Sequence, residues 1–120
     1  MKIQINSDSN ITLTTASKEG ISSELTEKLG RFADHITRLE IQLTDQNSDT
    51  KSGDDDIRCV IEARLEGKQP VSIEARQGNV AHAVAEAADK MGRRLDSLLG
   101  KEITLKRKSQ RDATRPELLD

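Results

Sequence analysis

Hydrophobic and polar residues alternate along four stretches of the chain, which predicts four short strands that each bury one face. In the first stretch, Ile3 and Ile5 alternate with polar residues. The other three stretches are residues 36–44, 57–66 and 71–76. Because Gly67 introduces a tight connection between the last two, these are expected to form a hairpin.

A helical spacing replaces this alternation in two places. The first helix is expected to begin near residues 14–17, where hydroxyl groups can cap it, and to end near Asp34. Its apolar face consists of Ile21, Leu25, Leu29 and Phe32. The second helix is expected to begin after Asn79, a favourable N-cap, and to stop at Gly100. Its apolar face consists of Val80, Val84, Ala87, Met91, Leu95 and Leu98.

The resulting order, β-α-β-β-β-α, predicts an α+β domain of two layers, a four-stranded sheet with two helices on one face. At 120 residues, the chain has the length of a single domain, which we place at residues 1–104. Residues 105–120 show no sustained period and are expected to form a flexible C-terminal tail. The stretch from Asp45 to Asp56 has no aliphatic residue and is expected to be a mobile loop.

Charge is distributed unevenly along the chain. The formal net charge is -2, but the segment from Asp89 to Arg111 has 8 basic and 3 acidic residues, a local charge of +5. Such a segment can steer a polyanion to one part of the molecule, although a solvated helix face is the commoner explanation of a charge run.

No set of residues has the spacing of a catalytic or metal site. His35 and His82 lack a nearby partner specified by spacing, and Cys59 falls on the inward phase of its strand. The acidic run at residues 54–56 is better explained as a solvated loop than as a metal site. We therefore expect no catalytic residue, no metal, no cofactor and no small-molecule substrate, and hence no enzyme. The single cysteine and the lack of a long apolar stretch favour a cytoplasmic protein with no membrane contact.

Any RNA contact should be made with phosphates. Stacking of single-stranded bases requires aromatic side chains, and the chain has one Phe, no Tyr and no Trp. A helical wheel places several cations beside the apolar face of the second helix, and two cations of the first helix extend this ridge if the helices lie side by side. The predicted RNA-binding residues are Lys28, Arg31, Lys90, Arg93, Arg94 and Lys101.

Three segments resemble a known family. They are residues 36–45 (ITRLEIQLTD), residues 56–64 (DIRCVIEAR) and residues 83–95 (AVAEAADKMGRRL). The chain is similar over residues 1–105 to the ribosome hibernation promoting factor and ribosome-associated inhibitor family, also called the sigma-54 modulation family. The most specific part is Asp89-Lys90-Met91 followed by Arg94-Leu95.

The resemblance implies a double-stranded-RNA-binding-like fold and a ribosome-associated hibernation or stress factor. Such a factor docks on the small ribosomal subunit between head and body, covers the decoding region and inhibits translation. The resemblance also implies that Lys90, Arg93 and Arg94 contact ribosomal RNA, and that this chain is a short form. The alternative hypothesis is a protein-interaction module that shares the fold without binding RNA, and that uses the acidic loop or the tail to bind a regulatory partner.

Overall fold

The computed structural model describes residues 1–45 and 57–114, with side chains described up to residue 100. The elements are β1 (Lys2–Ser7), α1 (Thr15–Leu29), a 3-10 turn (Gly30–Phe32), β2 (Ile36–Asp45), β3 (Ile57–Leu65), β4 (Val71–Gln77) and α2 (Val80–Thr114). The predicted order β-α-β-β-β-α is confirmed. Within these described ranges, no helix is both long and apolar enough to span a bilayer.

The four strands form one mixed sheet in the order β1-β2-β3-β4. β1 is parallel to β2, with Ile3 opposite Leu39, while β3 is antiparallel to both of its neighbours, β2 and β4. A parallel pair needs a crossover, and α1 supplies it. The turn between β3 and β4 contains Gly67 at a φ of +71°, a conformation that glycine adopts without strain, so the predicted hairpin is confirmed.

Both helices pack on the same face of the sheet. Alternate residues of the strands are buried against them, including Leu39 and Ile41 of β2, and Phe32 lies fully buried in the same cluster. No polar or charged residue is buried among the residues whose side chains are described. The opposite face of the sheet is covered by no described helix or strand, and the α+β fold class is confirmed.

Side chains cap both helices where they begin. The Thr14 hydroxyl accepts a hydrogen bond from the Ser17 backbone N–H at 3.0 Å, and the Asn79 side chain accepts one from the His82 backbone N–H at 2.8 Å. Each contact satisfies a backbone donor that has no partner within the helix. Both predicted starts are confirmed, whereas α1 ends at Leu29 and tightens into the 3-10 turn before the predicted end at Asp34.

The second half of α2 departs from the sequence prediction. The helix does not stop at Gly100 but continues to Thr114, and Gly100 does not adopt the left-handed conformation that ends many helices. Leu98, predicted to face the core, is 39% exposed, whereas Leu99 is fully buried. The next buried residue after Leu95 is therefore four positions further along the helix, at Leu99, and not three positions further, at Leu98.

The two predictions about irregular segments stay predictions. Residues 105–114 of the predicted tail are helical in their backbone, and residues 115–120 lie outside the described part of the chain. The predicted loop begins one residue too early, since Asp45 is the last residue of β2, and its residues 46–56 are also outside the described part. The division of the chain at residue 104 is therefore untested.

Candidate nucleic-acid interface

The helices lie side by side, and two ion pairs join them across a groove. Lys28 Nζ lies 3.0 Å from Asp89 Oδ1 and also donates a hydrogen bond to the Ala85 carbonyl at 3.4 Å. Arg31 Nη2 lies 2.7 Å from Asp96 Oδ2. Both predicted RNA-binding cations of the α1 side are therefore bound to carboxylates of α2.

Arg31 makes two further contacts in the groove. Its Nη1 donates to the Lys28 carbonyl at 3.3 Å, and its guanidinium carbon lies 4.4 Å from the centroid of the Phe32 ring. Gly92 lies beside this guanidinium, and a Cβ added there would lie 3.8 Å from Arg31 Nη2, an ordinary van der Waals contact. Both terminal nitrogens of Arg31 are thus engaged within the protein.

The groove between α1 and α2 carries balanced charge. It has a volume of about 260 Å³. Its lining residues are Glu27, Lys28, Arg31, Ala88, Asp89, Gly92, Arg93 and Asp96. Three cations therefore face three carboxylates, so this part of the predicted ridge has no excess positive charge.

Lys90 lies on the other side of α2, against β4. Its Nζ is 3.3 Å from Glu86 Oε1, one helical turn earlier, and donates to the Glu74 carbonyl at 3.2 Å. The Gln77 side-chain amide also donates to the Glu86 carboxylate. The bond from Gln77, together with the bond from Lys90, lowers the pKa of Glu86 below its ordinary value, so this carboxylate stays charged beside Lys90.

Arg93 and Arg94 are the exposed cations of the ridge that pair with no residue whose side chain is described. Arg93 lines the groove on the α1 side. Arg94 follows Lys90 by four residues, which places it on the β4 side of α2. The predicted ridge is thus divided between two sides of one helix. The side chain of Lys101 lies outside the described residues, and RNA contact by all six cations stays a prediction.

The sequence prediction missed Asp89 and Asp96 as partners of Lys28 and Arg31. The two carboxylates entered it only as negative charges, because an ion pair between helices depends on how the helices are placed, and the sequence does not specify that. The pair between Glu86 and Lys90 was accessible, since residues four apart on a helix are neighbours.

The open face of the sheet is polar and carries cross-strand ion pairs. Glu74 of β4 lies 2.9 Å from Arg58 of β3 and 2.9 Å from Arg76 of its own strand. The hydrogen bonds from Arg58 and then Arg76 lower the pKa of Glu74 to about 2. The only phenylalanine of the chain lies in the core, so this face offers no phenylalanine on which a base could stack.

The remaining candidates for chemistry have ordinary surroundings. Cys59 is fully buried, and burial raises the pKa of its thiol to about 12, which suppresses the nucleophilic thiolate. The described residues hold no group of three or more His, Cys, Asp or Glu side chains that is suited to a metal ion. The expectations of no catalysis and no cofactor stay predictions.

Comparison with known proteins gives a family and a fold. The family described as sigma 54 modulation protein / S30EA ribosomal protein matches residues 3–102. The fold is similar to the Protein Y N-terminal domain of Thermus thermophilus, with a TM-score of 0.64 and 19% identity over 82% of this chain and 99% of that one. It is also similar to a ribosomal subunit interface protein of Coxiella burnetii, with a TM-score of 0.62 and 16% identity over 83% of this chain and 99% of that one. No curated protein sequence matches the chain.

Proposed function

Because the chain belongs to the sigma 54 modulation protein / S30EA ribosomal protein family, we propose that it is a ribosome-associated hibernation factor that inhibits translation. The family predicted from the sequence is confirmed. In this proposal the protein binds the small ribosomal subunit near the decoding region, and it acts by occupying that region without catalysing a reaction.

The exposed pair Arg93 and Arg94 is the observation that supports RNA contact most directly. Neither guanidinium lies within ion-pair distance of a described carboxylate, although the charge of Arg93 helps to lower the pKa of Glu86, so neither must break a close ion pair before it meets a phosphate. A guanidinium can bind two phosphate oxygens at once. Because phosphates carry no sequence information, such contacts would recognise the shape and the charge of folded RNA.

The position of α2 supports the same proposal. The core anchors its first half, from Val84 to Leu99, and its backbone remains helical to Thr114. A helix fixed in this way presents Arg93 and Arg94 on a rigid surface, with little conformational freedom to lose in the backbone on binding.

Charge reversal of this pair tests the proposal. We expect the double variant Arg93→Glu and Arg94→Glu to remain folded, because both side chains are exposed and glutamate is a good helix former. It should lose co-sedimentation with purified small ribosomal subunits and lose inhibition of translation in a cell-free extract, since the new carboxylates repel phosphates. Circular dichroism checks the fold.

A matched control separates this effect from overall charge. The double variant Lys2→Glu and Lys18→Glu changes the net charge equally at two exposed lysines that pair with no described side chain. It should bind nearly as the wild type does. If both double variants bind equally well, the RNA contact lies elsewhere. If the wild type itself ignores ribosomal subunits, the protein-interaction module becomes the better hypothesis.

A further inference from the structure

On the α1 side of the ridge, Lys28 and Arg31 are already bound to carboxylates of the protein itself. Lys28 Nζ has two acceptors, the Asp89 carboxylate and the Ala85 carbonyl, and its side chain is 31% exposed. Arg31 is more exposed, but its two terminal nitrogens are bound to Asp96 and to a backbone carbonyl. A phosphate that approaches the groove therefore meets two carboxylates as well as the cations.

We propose that Asp89 and Asp96 limit RNA binding by holding Lys28 and Arg31 in ion pairs, so that Arg93 and Arg94 supply the phosphate contacts of the resting surface. This inference rests on the proposed function. It divides the cations of the proposed RNA surface into those that are available, Arg93 and Arg94, and those held in ion pairs, Lys28 and Arg31. The two aspartates are positioning residues, since they act on RNA binding through the cations that they hold.

Physical chemistry favours this division over a uniform cationic ridge. A phosphate gains little by replacing a carboxylate on the same cation, because one exposed ion pair is exchanged for another and the displaced carboxylate remains close to the phosphate. An unpaired arginine gives the whole contact to the RNA. The strength of binding should therefore depend on which cations are unpaired, and not only on how many the groove contains.

Glu27 provides a matched comparison within the same groove. Its carboxylate lines the groove, but it forms no ion pair with a described residue. Glu27→Gln and Asp96→Asn remove the same charge from the same place, and only the second frees a cation. Both variants remove one negative charge from the groove, so both change the electrostatic potential there in the same way. A difference in RNA binding between them therefore measures the release of Arg31.

The test measures binding of purified small ribosomal subunits over a series of salt concentrations. We expect Asp96→Asn to raise the affinity on the order of twofold to fivefold, the range of one exposed ion pair. It should also steepen the slope of log affinity against log salt by roughly 0.7–0.9, the value of one additional phosphate contact. Glu27→Gln should raise the affinity less and leave the slope unchanged.

A double variant identifies the cation that is responsible. When Asp96→Asn is combined with Arg31→Gln, the slope should return to the wild-type value, because the released guanidinium is gone. If Asp96→Asn and Glu27→Gln change affinity and slope alike, the aspartate contributes only to the general field and the inference is wrong.

The same measurements separate this inference from the proposed function. If the wild type binds small subunits but Asp96→Asn and Glu27→Gln change affinity and slope alike, the inference is wrong and the proposed function stands. A 20-base-pair RNA duplex serves as a second probe. If Asp96→Asn strengthens duplex binding with a steeper slope while no variant binds the small subunit, the division of cations stands and the ribosomal function fails. If neither probe binds any variant, both proposals are wrong.

Discussion

Arg31 and Asp96 are separated by 65 positions in the sequence, yet the guanidinium of one lies 2.7 Å from the carboxylate of the other. The contact joins the 3-10 turn after α1 to the middle of α2, next to Gly92. Both side chains are more than half exposed, at 51% and 56%. The pair therefore determines where Arg31 is held more than it determines how stable the fold is.

The first prediction concerns the stability of the Asp96→Asn variant. Because water screens an exposed pair, we expect a loss of at most about 1 kcal/mol in the free energy of unfolding. For a domain of this size, such a loss lowers the thermal midpoint by a few degrees. Thermal denaturation followed by circular dichroism measures it. A loss of several kcal/mol would indicate that the pair holds the two helices together.

The second prediction concerns the salt dependence of wild-type binding to small subunits. If Arg93 and Arg94 each neutralise one phosphate, log affinity should fall against log salt with a slope of roughly -1.4 to -1.8. Sedimentation with small subunits between low and moderate salt measures this slope. The variant Arg93→Glu and Arg94→Glu should not co-sediment at any of these salt concentrations, which checks that the wild-type slope reports these contacts. A flat profile for the wild type would contradict phosphate contact.

The fold was accessible from the sequence because each strand and helix has one apolar face. Alternation in β2 and β3, and helical spacing in α1 and α2, identify the residues that are buried, and one core cluster then requires both helices on one face of the sheet. This reasoning failed at the end of the apolar face of α2, where it predicted that Leu98 is buried, whereas Leu99 is the buried residue. Both residues are leucine, and the apolar pattern alone does not determine whether the buried row advances by three residues or by four.

The candidate site was less accessible, because its properties depend on contacts between elements. The sequence identified Lys28 and Arg31 as cations but did not show that Asp89 and Asp96 face them across the groove. It grouped Lys90 with the cations available to RNA, whereas Glu86 and the Glu74 carbonyl bind it. A count of charges therefore overestimates the positive surface of this protein.

The third prediction concerns the glycine inside α1. No described atom lies within 4 Å of a Cβ added at Gly20, so alanine fits without a clash. Because glycine inside a helix costs roughly 0.5–1 kcal/mol relative to alanine, Gly20→Ala should stabilise the protein by about that amount. Chemical denaturation measures the change. The opposite result is expected for Gly67→Ala, because that residue has a φ of +71°.

The fourth prediction concerns the reactivity of Cys59. The thiol is fully buried and burial raises its pKa to about 12, so it should react very slowly with a thiol reagent at pH 8 in the folded protein. In denaturant the same thiol should react rapidly, since unfolding exposes it to the reagent and removes the burial that raised its pKa. The absorbance of the released chromophore follows the reaction. Rapid modification of the folded protein would contradict the burial of β3 against the helices.

The fifth prediction concerns the dependence of stability on pH through Glu74. The bonds from Arg58 and Arg76 lower the pKa of this carboxylate in the folded protein from the ordinary 4.5 to about 2. A lowered pKa means that the folded state favours the charged form. The stabilising contribution is therefore complete above pH 4.5 and disappears as the pH falls from 4.5 toward 2.

Comparison of the wild type with Glu74→Gln isolates this contribution. The wild type should have the higher thermal midpoint at neutral pH. The difference between the two midpoints should narrow as the pH falls from 4.5 toward 2. Glu66→Gln is the control, because Glu66 is exposed in the β3–β4 turn and its side chain forms no hydrogen bond or ion pair with a described residue. A difference that stays constant from pH 6 to pH 2 would mean that the two arginines do not stabilise the charged carboxylate.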